Sequence, residues 1–219
     1  MRPVTFVLTV PHAACDEANF PSTFNHVCDL AAPTAAAMLR EALVTRCCGR
    51  DGSRVIGPIM GNVNRMQKDL NRKESRGTGF RQKIVEILDK LDCAPNCRCT
   101  LLDIHSYDSH ASWCAKAVAK GRPEPLIVLM ESSKYPTPDP EISQMPERVW
   151  NILPRQLQSL TVVDREQVVD VVKHAREHGA MNNLLIEFNE SLLYDRKLMA
   201  TVVQNLADAI GEASNQHFC

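Results

Sequence analysis

The chain has 219 residues with 25 basic and 26 acidic side chains, a net charge of −1 that by itself argues for no nucleic-acid or membrane partner. Its 44% hydrophobic and 23% charged residues are the composition of a globular chain, and 5% aromatics disfavours a single-stranded nucleic-acid reader, which stacks bases on rings. No window holds the roughly 18 consecutive apolar residues of a membrane span, and the run Val4 to Val10 meets Pro11-His12 too soon for a secretory segment, so a single domain over residues 1–219 in the cytoplasm is expected.

Short apolar runs rich in β-branched residues alternate with segments of helical period, the pattern of an α/β protein with a mainly parallel sheet. The first strand is Thr5 to Val10. Asp29 is placed to cap a helix running to about Arg46, with Leu30, Ala37, Leu39, Leu43 and Val44 as its apolar face and Pro33 early enough to be tolerated. A strand near Val55 to Met60 leads into a polar, basic stretch from Asn62 to Arg81, followed by a helix from about Phe80 to Leu91. Strands Thr100 to His105 and Leu126 to Met130 enclose an excursion over Asp108 to Pro125 that has no sustained period. Three prolines between Tyr135 and Pro140 forbid regular structure there. A helix around Pro146 to Leu157, a strand near Leu160 to Val163, a helix from Arg165 to His178, a strand Leu184 to Glu187 and a last helix Ser191 to Ile210 complete the order. The nine cysteines are odd in number and scattered, and read as mostly reduced thiols. Cys93, Cys97 and Cys99 lack the second spaced pair that a structural zinc site needs.

Three of the apolar strands end in a polar residue suited to metal or acid–base work: Val7-Leu8-Thr9-Val10-Pro11-His12, Leu101-Leu102-Asp103-Ile104-His105 and Leu184-Leu185-Ile186-Glu187. Carboxyl ends of parallel strands line the ligand crevice of α/β sheets, so residues far apart in sequence converge there. Two histidines and a carboxylate at such ends suggest zinc with three protein ligands and a fourth position left to water. A single histidine at a strand end is more often a hydrogen-bonded structural residue. A glutamate inside so apolar a run is costly without a partner, which marks Glu187 as functional.

These segments also carry a resemblance. Asp103-Ile104-His105-Ser106-Tyr107 resembles the strand-end zinc-histidine segment of metallocarboxypeptidases and of N-formylglutamate amidohydrolases. Val10-Pro11-His12-Ala13 is similar to the opening motif of the amidohydrolase family, Asp69-Leu70-Asn71-Arg72 to its Asp-Leu-Asn-Arg segment, and Leu185-Ile186-Glu187-Phe188 to the strand bearing the catalytic glutamate. The four stand in the family's order and span most of the chain. The resemblance implies a three-layer α/β/α fold with a mixed, mainly parallel sheet of the zinc-carboxypeptidase and phosphorylase-hydrolase kind. It implies zinc-dependent hydrolysis of the amide of an N-acyl amino acid such as N-formylglutamate. The alternatives are a metallocarboxypeptidase-like peptidase, another N-acyl-amino-acid deacylase, or a non-catalytic binding protein with a degenerate site.

Its residue roles follow from those matches. His12 and His105 would hold the metal; Cys15 stands where carboxypeptidases have Glu, leaving the second ligand among Cys15, Asp16, Glu17 and Asp29. Asp29 is favoured, because the acidic ligand of the resembled fold opens the helix after the first strand, and Glu17 is next. Glu187 would be the general base and acid. Asn71 and Arg72 would grip a substrate carboxylate, for which the planar guanidinium fork is suited, Arg65 or Arg76 would steady the oxyanion, and Tyr107 would line the pocket. For Arg65, Arg72 and Arg76 the plain alternative is a solvated surface loop, and for Tyr107 an ordinary turn residue. The crowding of Arg65, Lys68, Arg72, Lys73, Arg76 and Arg81 suits a small anionic amino-acid derivative or peptide. His174-Ala175-Arg176-Glu177-His178 fits an inverted zinc-peptidase motif, yet it sits just before Gly179, where a helix C-terminus with cationic histidines is the better account.

Overall fold

The computed structural model describes residues 3–14, 28–47, 52–63, 65, 67–91, 98–108, 119, 121, 123–131, 145–158, 160–162, 170–180 and 182–215. Strands β1 (Val4–Val10), β2 (Arg54–Met60), β3 (Arg98–Tyr107), β4 (Ile127–Glu131), β5 (Leu160–Val162) and β6 (Asn182–Asn189) form one sheet in the order β2-β1-β3-β6-β4-β5. Strand β1 pairs in parallel with β2 and β3, β3 with β6, and β4 with β5, while β4 runs antiparallel to β6. The sheet is mixed and mainly parallel, as the strand composition predicts.

The pleat sends alternate side chains to opposite faces, and each face has its own core. Val4, Phe6, Leu8 and Val10 of β1, with Leu102, Ile104, Leu184, Ile186 and Phe188, are buried in a cluster with residues of helices α1 (Ala32–Cys47), α3 (Met145–Ile152) and α5 (Arg196–Asn215). Val7, Cys99 and Leu101 belong to the other cluster, with Phe80, Ile84 and Leu88 of α2 (Gly79–Lys90) and Val171, Val172 and Ala175 of α4 (Asp170–Glu177). Full burial of such a side chain is worth about 1.5–3 kcal/mol, and helices on both faces give the three layers. No described helix is long and apolar enough to cross a membrane.

Several boundaries differ from the sequence expectation for local reasons. Asp29 does not cap α1: the helix begins at Ala32, and the Asp29 carboxylate is drawn to two histidines instead. Asp195 Oδ1 accepts the backbone N–H groups of Lys197 (3.1 Å) and Leu198 (2.9 Å), so α5 starts at Arg196, and the expected first turn is a 3-10 segment, Glu190–Tyr194. Helix α3 ends at Ile152, just ahead of Pro154, and a 3-10 turn, Arg155–Leu157, takes up the rest of the expected helix. Helix α4 ends at Glu177, with Gly179 at φ 91° and Ala180 N–H donating to the Ala175 carbonyl at 3.0 Å, the helix stop expected there. Cys47 and Cys99 carry reduced thiols, as expected of most of the cysteines, while Cys28 is disulfide-bonded and ties the chain immediately before Asp29. The prolines of 135–140, along with Cys93 and Cys97, lie outside the described residues.

Candidate metal centre

Three adjacent parallel strands deliver the central side chains. His12 follows β1 after a single residue, and His105 and Glu187 each stand third from the end of β3 and β6. His105 and Glu187 are register partners, so both side chains rise from one face of the sheet. Asp29 comes from outside the sheet: its N–H donates to the His12 carbonyl at 3.1 Å, and its Oδ2 lies 3.3 Å from His12 Nδ1 and 2.7 Å from His105 Nδ1. The three offer ligand atoms within 4.8 Å of one another and are 1%, 4% and 4% exposed. Of the candidates for the second ligand, Asp29 is brought to the histidines, whereas Cys15, Asp16 and Glu17 lie outside the described residues.

The outer edge of each imidazole meets a second carboxylate. His12 Nε2 donates to Asp69 Oδ1 (2.9 Å) and His105 Nε2 to Asp103 Oδ2 (3.1 Å). Each ring thus stands between two carboxylates, with Nε2 turned to Asp69 or Asp103 and both Nδ1 atoms converging on Asp29 Oδ2. Asp103 is itself fixed by a hydrogen bond from Thr9 Oγ1 at 2.6 Å. Asp69 Oδ1 also accepts from the Asn71 backbone N–H (3.0 Å), and its Oδ2 from Arg72 Nε (3.1 Å). Asn71 Nδ2 lies 3.2 Å from His105 Nε2, while its Oδ1 is buried without a hydrogen-bond partner. Two imidazoles and a carboxylate, buried together beside an orphaned polar atom, make a donor set fitted to zinc.

The electrostatics follow from this packing. Burial alone would raise the Asp29 carboxyl, but hydrogen bonds and charge from His105 and His12 outweigh it and hold it well below the usual carboxylate range. Asp69 is depressed likewise, with burial overcome by His12, the Asn71 N–H and Arg65. Burial would lower His105, yet Asp103 and Asp29 push it well above the ordinary imidazole value. Glu187 is pushed up to about 8, chiefly by burial. A group that is protonated so far above its usual range gives and takes protons near neutral pH.

The other sequence candidates divide. Arg65 and Arg72 come to the site's rim through Asp69, Arg65 Nε at 3.8 Å and Arg72 Nε at 3.1 Å from Oδ2. Arg76 is turned elsewhere: its Nε and Nη2 fork the Asp170 carboxylate (2.9 and 2.9 Å) and its Nη1 reaches Glu177 (2.9 Å). The basic crowding seen in the sequence is thus largely matched by carboxylates. Tyr107 is buried and its hydroxyl donates to the Pro125 carbonyl. His178 Nδ1 pairs with Asp89 of α2 (3.0 Å), and His174 stacks edge-on against His178 at 5.0 Å. Sequence reasoning missed Asp69, which it quoted without a role, and Arg81 with Asp170. The signal for Arg81 was its place on the helical face of Ile84 and Leu88, where a charge is costly.

Gly61 sets the approach of this layer. A Cβ there would stand 1.9 Å from the Pro11 carbonyl oxygen and 2.7 Å from Leu70 Cδ1. Gly61→Ala is expected to cost about 3 kcal/mol, the upper end of overpacking penalties, because the tightest contact is with the backbone of the residue that precedes His12. Urea unfolding measures this; a change within experimental error would show that the Pro11 and Leu70 segments yield freely.

No family model and no curated protein matches this sequence. Solved structures do. A gene product from Agrobacterium tumefaciens superposes with a TM-score of 0.64 at 15% identity, covering 98% of this chain and 92% of that one. An N-acetylmuramoyl-L-alanine amidase from Clostridium difficile gives 0.53 at 13% identity over 99% of this chain and 97% of the other. A metallo-carboxypeptidase from Burkholderia cenocepacia gives 0.55 at 10% identity over 99% of this chain and 58% of that chain. The fold is therefore one shared with amidase and metallo-carboxypeptidase structures.

Proposed function

We propose that the chain is a zinc-dependent amidohydrolase that cleaves the amide of an N-acyl amino acid of the N-formylglutamate type. The observation that carries this is the buried convergence of His12, Asp29 and His105 with both Nδ1 atoms turned toward the Asp29 carboxylate. The fold shared with an amidase and a metallo-carboxypeptidase supports it. His12 Nδ1, His105 Nδ1 and Asp29 would hold the metal, which when bound supplies Lewis acidity toward a carbonyl and makes water a nucleophile near neutral pH.

The remaining chemistry belongs to the chain. Glu187 takes a proton from the attacking water and delivers it to the departing amide nitrogen as the C–N bond breaks, leaving a carboxylic acid and an amine. Arg72 binds the substrate carboxylate through the edge of its fork not used by Asp69, and Arg65 faces the developing oxyanion. Asp69 and Asp103 keep the two imidazoles in the Nε2–H form.

Metal analysis of the purified protein tests the first half, with one zinc per chain expected, lost in His105→Ala and kept in His174→Ala. Hydrolysis of N-formylglutamate against C-terminal peptides tests the second. Absence of metal refutes the enzyme; peptide turnover in place of deformylation assigns a carboxypeptidase; metal without any turnover assigns a binding protein.

A further inference from the structure

We infer that Arg81 and Asp170 form a buried strut that aims Asp69 and Asn71 at the two imidazoles and thereby sets the affinity of the metal site. Arg81 has no exposed surface. Its Nη1 donates to the Leu70 carbonyl (3.1 Å), and its Nη2 to the Asp170 carbonyl and Oδ2 (both 2.9 Å). Asp170 returns the grip, its N–H donating to the Asn71 carbonyl at 2.9 Å. Ser75 Oγ donates to the Asp69 carbonyl at 2.6 Å, so three consecutive carbonyls, of residues 69, 70 and 71, are held from beneath. The side chains of the outer two residues are those that meet His12 and His105.

A buried ion pair is a poor way to fill volume, since apolar replacements of like size are often as stable or more so. What the guanidinium offers that an apolar side chain does not is direction. Its planar fork fixes two acceptors at once, and a carboxylate that orients a ligand must be placed to within about 0.5 Å. Arg76 locks the other side of the Asp170 carboxylate, so the strut is braced from the surface. Arg81 and Asp170 are positioning residues: they act on the imidazoles only through the 69–71 segment.

The metal half of this inference rests on the proposed zinc site; the aiming of the imidazoles does not. The test compares Arg81→Lys, which keeps the charge but loses the fork, and Arg81→Met, which keeps the volume, with Leu88→Ala, a buried truncation on the same helix. At temperatures where circular dichroism shows each variant folded, zinc Kd by chelator competition is expected to weaken about 10- to 100-fold in the Arg81 variants, and to stay near wild type in Leu88→Ala. In the metal-free protein, the Nε2–H NMR signals of His12 and His105 should lose protection from exchange in the Arg81 variants alone. Unchanged signals and Kd in Arg81→Lys, or equal losses in Leu88→Ala at matched stability, overturn the strut. If the wild type binds no zinc, the metal site fails while the imidazole signals still decide the strut.

Discussion

Glu187→Gln is expected to slow hydrolysis by about 10²–10⁴-fold, the range of a lost general base, with zinc retained. The amide keeps the size of the carboxyl on β6 but accepts no proton, so the loss falls on kcat. The same residue has a pH signature. Its carboxyl is pushed up to about 8 by burial, against about 4.3 when exposed. Below the unfolded value both states hold the proton and folding bears no penalty. As pH rises toward the folded value the unfolded chain releases its proton first, so the metal-free folded state loses relative stability. Urea unfolding of metal-free protein should show wild type weakening between about pH 4 and about pH 8, with Glu187→Gln largely spared. Full activity in the Gln variant would remove Glu187 from the proton transfer.

Asp170→Ala is expected to cost about 3–5 kcal/mol, because it leaves the Arg81 guanidinium buried without its counter-charge. A surface pair of the same type would be worth at most about 1 kcal/mol, and the burial of Arg81 decides between the two figures. Burial alone would raise the Asp170 carboxyl, but the hydrogen bonds from Arg76 and Arg81 hold it below its ordinary value. A depressed carboxyl contributes stability that is complete above its unfolded pKa of about 3.9 and disappears as pH falls through the folded value. Wild type should therefore lose stability below about pH 4 more steeply than Asp170→Ala does. Denaturant unfolding across that range measures both slopes, and a cost near the surface-pair figure would mean that water screens the pair.

The elements of the site were legible because their signals are local. Thr5 to Val10 and Thr100 to His105 read as strands from composition alone, and a polar residue closing an apolar run identifies itself. Asp29 was legible only in part: the sequence offered it both as a helix cap and as a ligand, and the structure has its carboxylate between two imidazoles. The basic stretch misled in one respect. Arg76 finds its carboxylate at Asp170, 94 residues along the chain, and a pairing at that separation leaves no local trace.

By itself the sequence determined the alternation of strands and helices and the presence of His12, His105 and Glu187 near strand ends, since each depends on a period of a few residues. The tertiary structure decided which atoms of those residues face one another. Nδ1 rather than Nε2 turns inward because Asp69 arrives from the loop after β2 and Asp103 rises two residues before His105 on β3. That choice of nitrogen comes from the directions of side chains brought together by the sheet register and by the Arg81–Asp170 pair beneath it.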